Sequence, residues 1–90
     1  MSGEALTLVL GDEYDHALIA RTWSVLAAMG ARRVDALGFV AGSQEVSIQI
    51  WDLGGATLRF EAETYMGLTV SGERKVVQRL VDDVRARLRA

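Results

Sequence analysis

The 90 residues include no cysteine and no proline. Without cysteine there is no disulfide, no thiolate nucleophile and no cysteine-ligated zinc site. A cysteine-free chain fits a reducing compartment, and a cytoplasmic location is the expectation. Histidine is nearly absent too: His16 stands alone, so a multi-histidine metal centre is excluded. Long apolar runs are missing. Leu6 to Leu10 is too short for the core of a secretory signal and follows Glu4. Nothing approaches the length of a membrane span. A formal net charge of -2 provides no global field to draw in nucleic acid or an anionic membrane. No phosphate-binding glycine loop occurs, and Gly42-Ser43-Gln44 lacks the flanking glycines of a nucleophile elbow. No motif points to a family, and no cofactor or metal is expected.

What is present is globular. Half of the residues are hydrophobic, which argues against disorder and for one domain over residues 1–90. Residues 5–10 read as a strand ended by Gly11-Asp12. Asp12 or Asp15 caps a helix that runs to about Met29 and stops at Gly30. Its apolar arc holds Leu18, Ile19, Thr22, Trp23, Val25, Leu26 and Met29. Residues 32–42 read as a strand with an interior glycine, Gly38, and no clean alternation.

The next section is a β-hairpin. Val46, Ile48 and Ile50 alternate with polar residues before Gly54-Gly55, and Ala56, Leu58, Phe60 and Ala62 alternate after it. If the even-numbered residues of both strands face the core, opposed residues must have numbers with an even sum. A three-residue loop over Leu53-Gly54-Gly55 meets that condition and sets Ile50 against Leu58, Ile48 against Phe60 and Val46 against Ala62. The second strand then bends or bulges near Tyr65-Met66-Gly67 and resumes as a separate strand to Val70. Ser71 caps a last helix whose apolar stripe is Val76, Val77, Leu80, Val81, Val84 and Leu88. The expected fold is a two-layer α+β sandwich of order β-α-β-β-β-α, mainly antiparallel, with two helices on one face of the sheet.

Several residues invite a functional reading. Beside Asp12, Glu13 and Asp15, His16 resembles a base with its carboxylate, yet acids at a helix start are sufficiently explained by the helix dipole. Glu61 and Glu63 share a strand face, and the expected register sets Glu63 against Glu45. Paired carboxylates can share a proton or bind a cation, so a small-ligand or enzymatic site there, at a homodimer interface, is the alternative expectation. The last helix carries Arg74, Lys75, Arg79, Arg85, Arg87 and Arg89, but Asp82 and Asp83 are spaced to pair with them, which argues against a nucleic-acid face. Opposite the arc of the first helix lies a strip of small residues, Ala17, Ala20, Ser24, Ala27 and Ala28, suited to close packing against the last helix or a second subunit.

The odd-numbered face of the hairpin gathers Trp51, Arg59, Glu61 and Tyr65, residue types enriched where proteins meet. With no catalytic set in view, the expected function is a small non-enzymatic interaction module of adaptor, regulatory or inhibitor type. It would bind a protein partner through the open sheet face.

Overall fold

Asp15 opens the first helix. Its carboxylate accepts a hydrogen bond from the Leu18 N–H at 3.0 Å, satisfying one of the donors a helix start leaves free. Asp12 does a different job: it accepts from the Tyr14 N–H at 2.7 Å and shapes the turn before the helix. Asp15→Ala is therefore expected to lose about 1 kcal/mol of stability. A lower urea midpoint at an unchanged slope is the readout, and an unmoved midpoint would contradict the capping role.

The computed structural model describes residues 4–89, and the side chains of all of these but 41, 88 and 89. The elements are β1 (Ala5–Gly11), α1 (His16–Ala28), β2 (Arg32–Ala41), β3 (Gln44–Leu53), β4 (Ala56–Glu63), β5 (Gly67–Glu73) and α2 (Arg74–Arg89). The strands form one antiparallel sheet in the order β1-β5-β4-β3-β2. Both helices pack on the same side of it, as expected for a two-layer α+β sandwich. The continuation beyond the bend is a separate strand, β5, as expected, and counting it makes the full order β-α-β-β-β-β-α. The bend is sharp: Tyr65 and Gly67 both take left-handed backbone, at φ 69° and 84°.

The core lies between the helices and the middle of the sheet. Leu58, Phe60 and Val70 come from strands, Val25 and Leu26 from α1, and Val77, Leu80, Val81 and Val84 from α2. Of the expected α2 stripe, Leu88 lies outside the described side chains. Ser71 does not cap α2. It sits in β5, its hydroxyl 2.9 Å from that of Thr7 on β1. The chain passes from strand to helix at Arg74, whose N–H donates to the Glu4 carbonyl at 2.7 Å and whose guanidinium lies 3.2 Å from the Glu4 carboxylate. That contact offsets the unfavourable placing of a cation at the positive pole of a helix.

The hairpin register differs from expectation. Gly54 and Gly55 form a two-residue loop, both left-handed at φ 57° and 90°, the backbone that matches the twist of flanking strands. Leu53 opposes Ala56, Trp51 opposes Leu58, Ile50 opposes Arg59 and Ile48 opposes Glu61. Directly opposed residues share a face. Trp51 and Leu53 therefore join Leu58 and Phe60 under the helices, while Val46, Ile48 and Ile50 turn to the open face. Val46 is buried as expected, at 6% exposed, but Ile48 and Ile50 are only partly covered, because it is Trp51 and Leu53 that β3 packs against the core under the helices.

Candidate interaction surface

Trp51 is held on the helix side by stacking. Its ring lies 5.5 Å from that of Trp23 at an interplanar angle of 15°, and Trp23 meets Phe60 edge-on at 5.1 Å. The indole N–H of Trp51 donates to Gln49 Oε1 at 3.0 Å, two residues away on the same face. The expected grouping of Trp51 with Arg59, Glu61 and Tyr65 thus separates. Arg59 and Glu61 stay together on the open face, 3.6 Å apart as an ion pair. Tyr65 sits in the β4–β5 turn, 84% exposed, with its N–H donating to Glu13 Oε1 at 2.7 Å. Glu63 opposes Val46 and not Glu45, so the like-charge pairing inferred from the other register is absent.

The acids before α1 each have a structural partner: Tyr14 N–H for Asp12, Tyr65 N–H for Glu13 and Leu18 N–H for Asp15. His16 is the exposed first residue of α1. The strip Ala17, Ala20, Ser24, Ala27 and Ala28 faces outward and is exposed throughout, so α2 does not cover it. Asp82 and Asp83 form no ion pair among the described side chains, which leaves their expected pairing with Arg79, Arg85 and Arg87 unmade; Arg89 lies outside them.

The surface that the sequence did not single out is β2. It is an edge strand, and every residue from Arg32 to Val40 is exposed. Leu37 opposes Ile48, and Phe39 opposes Val46. Leu37 and Phe39 with the half-buried Ile48 and Ile50 make an apolar patch across β2 and β3 on the open face, over a Val46 that is itself buried, and Arg59, Glu61 and Glu63 rim it on β4. Val40 projects on the other side, 69% exposed. The clue in the sequence was the missing alternation of residues 32–42: alternation comes from burying one face, and a strand exposed on both has no core side to impose it.

On the helix side, a concavity of about 440 Å³ lies between the approach to α1 and the β2–β3 hairpin, with Glu13, Tyr14, Gly38, Val40, Ser47 and Thr64 in its wall. Two of its polar groups are already engaged by the chain. Glu13 holds the Tyr65 N–H, and Thr64 Oγ1 accepts from the Glu45 N–H at 2.9 Å.

Fold and surface together define a class: a two-layer α+β domain whose edge strand β2 is exposed from Arg32 to Val40. No protein-family model matches the chain, and neither the curated proteins nor the solved structures contain a match to it. No helix among the described residues is long and apolar enough to cross a membrane.

Proposed function

We propose that the chain is a non-enzymatic protein-interaction module, of adaptor, regulatory or inhibitor type, acting in the cytoplasm through the β2–β3 hairpin and the sheet face it carries. One observation supports this most. An edge strand is exposed at every residue from Arg32 to Val40, with Leu37, Phe39 and Val40 at 46–69%. Folded monomers blunt long apolar edges or keep them paired, since the free N–H and C=O row invites another strand. An apolar centre with a charged rim, here Arg59, Glu61 and Glu63, is also the usual anatomy of a protein–protein contact. No observation favours chemistry at Glu61 and Glu63: the first is ion-paired with Arg59 and the second lies beside Val46 and Gly67.

Phe39→Lys tests the reading. The side chain is nearly half exposed, so the variant should fold. Proteins captured from a lysate of the source organism by the wild-type chain should be lost with Phe39→Lys. For one such protein, calorimetry should show affinity at least about tenfold weaker, as expected for a central apolar anchor. Identical capture and equal affinity would overturn the assignment to this surface.

A further inference from the structure

We propose that β2 pairs with β2 of a second copy of this chain, antiparallel about a two-fold axis at Gly38, so that two five-stranded sheets become one of ten strands. The proposal rests on the hairpin being an interaction surface and names its partner.

The edge itself is the first argument. β2 carries a bulge between Arg33 and Asp35, a device that blunts an edge. Beyond it the ladder to β3 is unbroken from Asp35 to Ala41, and that run holds one charge and no proline. The protection stops where the apolar residues begin. The opposite edge, β1, is shorter at seven residues and is bulged between Val9 and Gly11.

Self-complementarity is the second. Opposed residues in an antiparallel pair share a face, so a two-fold seam centred on Gly38 sets Leu37 against Phe39 of the other copy, twice, on the open face. On the helix side it sets Ala36 against Val40, also twice. Asp35 meets Ala41. Centring the seam on Leu37 would set Phe39 against the Asp35 carboxylate, and centring it on Ala36 would do the same to Leu37. Apolar cross-strand pairs are favoured over these.

Gly38 is the third. Its backbone is not left-handed, and an added Cβ would meet only the Val46 carbonyl oxygen, at an ordinary 3.9 Å. Nothing within the chain requires a glycine there. Glycine inside a strand often marks the close approach of another backbone, and the axis places that approach at this residue.

Charge agrees. The seam keeps the two Arg33 residues about 33 Å apart, ten residues along a strand. Each comes instead beside the β2–β3 turn of the other copy. Arg33 lies on the helix-side face through its pairing with Trp51, and Glu45 lies on that same face through its pairing with Val40. Val34, Leu37, Phe39 and Val40 are exposed at 56%, 57%, 46% and 69%, on the order of 400 Å² per copy, and the seam covers only the part that faces the other strand. The interface is therefore small, and a weak dimer, populated at roughly 100 μM, is expected.

Because the chain has no cysteine, a single introduced one reports the register without background. Opposed Cα atoms at the axis would lie about 4.5–5.5 Å apart, within disulfide reach. Gly38→Cys, oxidised mildly at roughly 100 μM, should form a covalent dimer, whereas Met66→Cys in the exposed β4–β5 turn should not. Sedimentation equilibrium should show wild type at twice the monomer mass and Leu37→Lys as a folded monomer. A wild type that stays monomeric, a Leu37→Lys that stays dimeric, or a dimeric wild type whose Gly38→Cys does not crosslink would each overturn the proposal. A monomeric wild type whose Phe39→Lys variant still loses a different protein removes this dimer and keeps the interaction module. A Gly38→Cys crosslink with unchanged capture by Phe39→Lys does the reverse.

Discussion

Trp51→Ala should lower the free energy of unfolding by about 3 kcal/mol. Trp51 looks from the sequence like a surface residue, for which the same substitution would leave folding intact and weaken binding. Its position beneath the helices reverses that expectation. The substitution removes a stacked partner from Trp23, which itself braces Phe60 at the centre of the core. It also frees the side chain of Gln49 from its bond to the indole. A domain of this size shifts its melting temperature by about 4–8 °C per kcal/mol. The midpoint of thermal unfolding followed by circular dichroism should therefore fall by roughly 12–24 °C. A shift of only about a degree would mean that the tryptophan is solvent-facing after all.

Gly67→Ala should be of similar size, for a different reason. Gly67 is left-handed, and a Cβ there would lie 2.7 Å from the carbonyl oxygen of Gly11. The close neighbour is backbone in β1, so relief requires moving the β1–β5 seam. Left-handed backbone costs an alanine about 1–2 kcal/mol, and the contact with Gly11 should bring the total to about 3 kcal/mol or more. Gly30 provides the comparison: its φ is nearly the same at 82°, but nothing lies within 4 Å of an added Cβ. Gly30→Ala should show the conformational part alone. Equal loss for the two variants in urea denaturation would rule out the Gly11 contact as a cause.

Much of the architecture was legible because most elements bury one side. The arc of α1, the stripe of α2 and the alternation of β4 each point at the core, and the capping carboxylate of Asp15 was visible as a residue type at a boundary. β3 misled because alternation reports that one face is apolar without saying which face the helices cover. Val46, Ile48 and Ile50 form the more obvious row, yet the helices lie over Trp51 and Leu53. The loop decided the matter, since two left-handed glycines close a two-residue turn and fix an odd sum. The proposed interaction surface was harder still. Leu37, Phe39 and Val40 stand in a run without pattern, and only the order of strands in the sheet reveals that this run is an edge. Tyr65 and Arg59 were found as exposed residues but on separate parts of the surface, because the turn after β4 carries Tyr65 away from the face that Arg59 shares with Glu61.

The strand order also governs how the chain comes together. β2 through β5 form a meander, each strand bonded to the next, so its hairpins close as soon as their residues exist. β1 is made first and pairs only with β5, Ala5 with Glu73 and Val9 with Thr69. Through most of synthesis Leu6, Leu8 and Leu10 therefore have no native ladder partner, and the apolar edge of β2 is complete before the sheet is. The order of synthesis thus presents an unpaired apolar strand, β1, and a free apolar edge on β2 in the same nascent molecule, the condition under which neighbouring chains join wrongly.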